Sequence, residues 1–207
     1  MTIELFSALV AFAFATSITP GPNNLMLLAS GMNFGLVRTM PHLSGIVIGF
    51  PAMVFLVGVG LMQIFDAIPH SYTILRTVSA AYLCYLAWRI ATTVPKQPSN
   101  GSDQAAGSGG RPFSFLQAAS FQWVNPKSWT MALTAVSVYA PPLQPAVSSL
   151  IVAAVFAGIA LPAMLAWTLI GQQLRHFLTD PRRQRAFNIT CATLLVLSLA
   201  PMIAGTN

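Results

Sequence analysis

Carboxylates are scarce in this 207-residue chain: it has four Asp and Glu against ten Lys and Arg, and charged residues make up 7% of it. A soluble domain carries about 25% charged residues, so the composition, 55% hydrophobic, places the chain in the membrane class. The acids are Glu4, Asp66, Asp103 and Asp180, all at the ends of apolar runs or between them. None is left near a bilayer centre, which argues against a cationic cargo and against a carboxylate proton relay. The two cysteines, Cys84 and Cys191, lie in separate apolar runs with neither metal nor redox spacing, and read as inert packing residues. The three histidines are scattered, and no GxSxG or HExxH occurs, so a membrane hydrolase is excluded as far as motifs can do so. A divalent-metal exporter is disfavoured for want of a histidine-rich loop and buried carboxylates. A thiol or reducing-equivalent transporter would need a reactive cysteine pair. His42 could carry a proton, but a lone histidine at a span's edge reads first as an ordinary interfacial residue. No Lys or Arg precedes Arg38. The apolar amino terminus therefore lacks the basic region of a cleavable signal, and is expected to stay in the mature protein.

What the chain does have is six apolar runs, at about 3–30, 40–64, 71–93, 113–139, 146–171 and 185–205. Each is close to or above the ~20 residues that a helix needs to cross a bilayer. The expected fold is an all-α membrane protein of six transmembrane helices. Between the third and fourth runs, PKQPSNGSDQAAGSGGRP is too polar and glycine-rich to pack, and is expected to be a flexible linker. It divides the chain into a three-helix repeat at 1–93, a cytoplasmic linker at 94–112 and a second three-helix repeat at 113–207. With three spans each, the halves enter from opposite sides, an inverted repeat. All basic residues except Arg76 and Lys127 then fall on one face, the cytoplasmic one, and both termini lie outside. The excess positive charge reads as an orientation signal, and nothing points to nucleic acid. Pro51 and Pro162 are expected to kink their spans. The Gly45-xxx-Gly49 spacing suits close helix packing, within the chain or in a homodimer.

Two runs are interrupted. Thr19 to Asn24 reads TPGPNN, and Asn125-Pro126-Lys127 breaks the fourth run. Proline lacks the N–H that a helix needs and clashes with the preceding turn. Opened backbone at membrane depth is tolerated only where it is buried in protein or lines a wet cavity. The breaks thus mark a polar substrate site, one in the first span of each half. Its candidate residues are Pro20, Gly21, Pro22, Asn23, Asn24, Gln122, Asn125, Pro126 and Lys127. Lys127 is the one cation deep in a span. It either meets a substrate carboxylate or snorkels to the interface, and its place beside a break favours the carboxylate. The asparagines either contact a zwitterion or only cap the broken helices. Gln117 is a further candidate for the same cavity.

TPGPNN with Gly31, Gly35 and Gly45-xxx-Gly49, VNPKSW at 124–129, and AAYLCYLAWRI at 80–90 together resemble the LysE/RhtB family of amino-acid exporters over the whole chain. Within it the chain looks most similar to exporters of cysteine and O-acetylserine, or of homoserine and threonine. The resemblance implies proton-driven efflux of small amino acids by a multi-pass protein of the bacterial inner membrane, a transporter and not an enzyme, with no cofactor. Pro20 to Asn23 match the family's first motif, and Asn125 to Lys127 the second. Where members that export basic amino acids carry an aspartate in the second span, this chain has Gly49, Phe50, Pro51 and Ala52. That departure fits a neutral cargo and leaves the coupling residue unassigned.

Overall fold

A computed structural model of the chain describes residues 1–61, 63, 67–93, 111–141 and 143–200. Every regular element among them is helical: α1 (Ile3–Ile18), α2 (Pro22–Leu56) continued by a π-helical turn (Val57–Leu61), α3 (Ser71–Ala91), α4 (Phe115–Phe121) with a 3₁₀ turn (Gln122–Val124), α5 (Pro126–Tyr139), α6 (Pro145–Phe177) and α7 (Pro181–Leu197). Residues 94–110 of the expected linker lie outside the described residues, as does Asp66.

Local chemistry sets the boundaries. Thr2 caps α1, its hydroxyl accepting from Leu5 N at 3.2 Å. Pro20 pushes Thr19 out of the helical region to ψ 133°, as a following proline does. Helices α2, α5, α6 and α7 all carry proline at their first turn, where the missing N–H costs nothing because no intrahelical acceptor is due there. Helical dihedrals persist through Pro51 and Pro162, while the one departure inside α2 is Gly35, at φ 75° and ψ 173°. That conformation is open to glycine and strained for other residues. A loop over 31–39 is therefore replaced by a single-residue turn. Helix continues to residue 34 and restarts at Leu36, whose N–H is capped by Gln172 Oε1 at 2.6 Å.

Contacts fix the directions. Phe12 packs edge-on against Phe156 at 6.2 Å, Trp167 Nε1 donates to Ile18 O at 3.3 Å, and Gly31 lies against Thr168. Residue numbers rise together, so α1 and the first part of α2 (22–34) run alongside α6 in one direction, with the TPGPNN break midway. The second part of α2 (36–56) returns: Leu36 meets Gln172, Phe50 meets Phe156 at 5.2 Å, and Gly58 lies against Ser149. Helices α4 and α5 run beside that second part, Gly45 and Gly49 packing on Ala118 and Ala119, and Gly58 facing Val136. The small-residue pair is thus used inside the chain and not on a face open to a second copy. Helix α3 runs opposite to α4, with Tyr82 on Phe121 at 6.1 Å and Arg89 over Phe113 at 4.7 Å. Helix α7 packs on α3 around Leu83, Leu86, Cys191 and Leu195.

By length and composition two helical stretches, 22–61 and 145–177, are apolar enough to cross a membrane, the first of them folded back at Gly35. The outer surface is apolar too: Phe14, Ile48, Trp88, Leu116, Leu161 and Leu197 are all exposed. Large apolar area facing outward is unusual in a soluble monomer and suits lipid.

Candidate functional site

The two helix breaks meet. Lys127, in the first turn of α5, donates from Nζ to the Thr19 carbonyl oxygen at 2.5 Å. Asn23 and Gln122 pair their amides reciprocally, Asn23 Nδ2 to Gln122 Oε1 at 2.9 Å and Gln122 Nε2 to Asn23 Oδ1 at 3.1 Å. Ser128 Oγ adds a third partner at 3.0 Å from the same Gln122 oxygen, and Gln122 Nε2 also donates to Ala118 O at 2.9 Å. These bonds join the two breaks across about a hundred residues of sequence. They leave the buried Gln122 amide satisfied, which a polar group away from water requires.

The backbone groups freed by the breaks are taken up by side chains. Asn24 Nδ2 donates to Ser17 O at 2.9 Å and to Thr19 O at 3.3 Å, holding the open end of α1. Asn125 Oδ1 accepts from Lys127 N at 3.1 Å and caps α5. Both asparagines therefore serve as caps, and both also line the adjoining cavity. Trp129 Nε1 donates to Trp123 O at 2.8 Å and closes the end of the 3₁₀ turn.

That cavity is lined by Thr16, Ser17, Asn23, Asn24, Ile46, Phe50, Asn125, Lys127, Ser128, Met131, Ala160 and Met164. Its volume is about 30 Å³, room for a water or two and not for an amino acid. Of the residues expected from sequence, Asn23, Asn24, Asn125 and Lys127 line it; Gly21, Pro22 and Gln122 are buried and Pro126 partly buried without lining it; Pro20 is exposed on the turn. Gln117 is not part of it: its side chain is exposed and closes a capping box with Ser114, Oε1 accepting from Ser114 N at 3.0 Å. Ser17, Ser128 and the apolar wall of Ile46, Phe50, Met131, Ala160 and Met164 were not legible beforehand. Only Ser128, next to Lys127, had any signal.

The electrostatics follow from direction. The first part of α2 (22–34) and α5 run oppositely and both start at the breaks that meet here, so their N-terminal dipole ends lie together at this cavity. The first-turn N–H groups of Asn23 and Asn24 have no intrahelical acceptor. With the half-buried Lys127 beside them, the cavity carries a positive potential. Gly21 permits this closeness, because a Cβ there would lie 2.6 Å from Lys127 Cδ. Cys84 is exposed on α3 and Cys191 buried on α7, and both thiols are free.

Comparison with known proteins identifies the family. Residues 14–200 match the family described as LysE type translocator. Proteins named cysteine/O-acetylserine efflux protein, from Escherichia coli and from Shigella sonnei, are each 32% identical over 200 residues, covering 95% of this chain and 96% of the relative. No solved structure matches. The paired breaks, the apolar exterior and the family match lead to one conclusion: this chain is a multi-pass membrane protein of the LysE type translocator family of exporters.

Proposed function

We propose that the chain is a secondary transporter that exports small neutral, zwitterionic amino acids or their derivatives across the bacterial inner membrane, by antiport with protons. The observation that carries this reading is the convergence of two proline-started helix ends and Lys127 on one small cavity. The substrate carboxylate binds Lys127 and the N–H groups of α2. The amino end is received by the Asn23, Asn24 and Asn125 side-chain oxygens and by opened carbonyls near Thr19. No described carboxylate lines the cavity, so a second positive charge on the cargo would go unpaired at a cost of a few kcal/mol or more. The relatives' names, which specify cysteine and O-acetylserine, fit a small neutral cargo.

In this reading the directions of the helices make six crossings, arranged as an inverted three-plus-three repeat of 1–93 and 113–207 joined by the cytoplasmic linker 94–112. Arg38, Arg89, Arg111, Arg175 and Arg182 then mark the cytoplasmic end, and both termini are outside. A cavity too small for the cargo is a contracted member of an alternating-access cycle, and rocking of one repeat against the other widens it toward either side.

Proteoliposomes loaded with radiolabelled cysteine, O-acetylserine, homoserine, threonine, leucine, lysine or arginine test the proposal. Under an imposed pH gradient, O-acetylserine or another small neutral member should leave, and lysine and arginine should stay. Movement of lysine or arginine alone would overturn the neutral-cargo reading. Movement of none would overturn the transporter reading itself.

A further inference from the structure

His42 is fully buried, and neither ring nitrogen has a hydrogen-bond partner. It is therefore not the interfacial residue that its place at a span's edge suggested. Buried polar side chains are bonded as a rule, and an orphaned one calls for an explanation. Nearby polar groups are otherwise occupied: Thr39 Oγ1 is bonded to Gly35 O at 2.8 Å and to Ser30 Oγ at 3.1 Å.

Its position supplies the explanation. His42, Ile46 and Phe50 are spaced at i, i+4 and i+8 on the second part of α2, and so share one helix face. Ile46 and Phe50 line the central cavity. The His42 ring packs on Phe113 at 5.1 Å, and Phe113 lines a second cavity of about 20 Å³ with Asn33, Arg89, Thr93 and Arg111. The imidazole thus adjoins the lining of both cavities, on the helix that restarts at the Gly35 turn. Among the described residues, the charged side chains of its own helix and of the packed elements are Arg38 on α2, Arg76 and Arg89 on α3, Arg111 before α4, Lys127 on α5, Arg175 on α6, and Arg182, Arg183 and Arg185 on α7, with Asp180, which caps α7, the one acid among them; the other titratable side chains are Tyr82, Cys84 and Tyr85 on α3, Tyr139 on α5, His176 on α6 and Cys191 on α7. Among the described residues no carboxylate lines either cavity to hold a proton in place of the imidazole.

We infer that His42 is the proton-carrying group of the transport cycle: a neutral imidazole that takes a proton on its free nitrogen from the outside when the central cavity opens that way, and releases it to the cytoplasm through the cavity at Asn33 and Arg89. This inference rests on the proton-antiport reading above. In this structure both nitrogens are sealed from water and partners, so the proton site communicates with neither side until the helices move. That sealing is what obligatory exchange demands.

The test compares two modes in proteoliposomes, with O-acetylserine as probe: exchange of labelled for unlabelled substrate without a gradient, and net efflux driven by a pH gradient. His42→Gln should lose the acceleration by the gradient while exchange survives. His42→Gln with gradient-driven efflux at the wild-type rate would overturn the role of His42 and leave the transporter reading standing. Wild-type protein inactive in both modes would overturn both. Should His42→Gln and His42→Asn each be inactive in both modes, histidine NMR of the purified wild-type chain, which has three histidines, decides. The signal missing from the variants should change protonation state when O-acetylserine is added at constant pH, and an unchanged signal overturns the inference.

Discussion

Lys127→Ala should lower efflux about 10- to 100-fold, the equivalent of the roughly 1.5–3 kcal/mol carried by a hydrogen bond to a charged group, while the protein still folds into the membrane. Nζ is the one formal positive charge lining the central cavity, and its bond to the Thr19 carbonyl holds it at the open end of α1. Removing it takes away an ammonium that is costly to bury, so loss of transport without loss of expression separates a substrate contact from a structural one. Efflux at unchanged affinity would remove Lys127 from the site. Lys127→Arg should also be impaired: the chain at Gly21 leaves little space around the Lys127 stem, and a planar guanidinium fills it differently.

The second large effect is on stability. Gly31 and Gly171 sit where the first part of α2 touches α6. A Cβ on Gly31 would lie 2.2 Å from the Thr168 carbonyl oxygen, and one on Gly171 would lie 2.1 Å from that of Leu28. Backbone carbonyls cannot rotate aside as a side chain can, so the helices must part. Gly31→Ala or Gly171→Ala should each destabilise the protein by about 1–3 kcal/mol or more, seen as a lower unfolding midpoint in detergent. Gly158→Ala is the control. It lies on the same α6 helix with nothing within 4 Å of the added atom, and alanine's helix propensity should leave its midpoint equal or slightly raised. Equal midpoints for all three variants would mean that the helices do not approach as described.

Much of this was legible because proline chemistry is local. Pro51 and Pro162 sit singly in apolar helix and leave it continuous, whereas Pro20-Gly21-Pro22 and Asn125-Pro126 combine proline with glycine or a capping asparagine and open the chain, so the breaks and the polar residues beside them could be read from the chain. What surrounds a residue is not local. Gln117 and Gln122 look alike in sequence, yet one closes a capping box at the surface and the other is buried between the breaks. The reversal at Gly35 was hidden because its cap, Gln172, is 136 residues away. A similar long-range knot ties Asn33 to Asn188 at 2.9 Å, and Asn188 to Thr93 O at 3.1 Å; nothing near any of the three announces it. The burial of His42 likewise depends on Phe113, which follows the linker. Sequence spacing reports which residues share a helix face, but not which face of another helix covers them.

The central claim is that the two helix breaks form one pocket for an amino-acid carboxylate. Its most direct test is equilibrium binding of radiolabelled O-acetylserine to the purified wild-type chain, with displacement by unlabelled O-acetylserine or by its carboxyl methyl ester. The account predicts that the acid displaces the label, and that the ester, with no anion to offer Lys127 and the α2 N-terminus, does not. An ester that competes as well as the acid would contradict it.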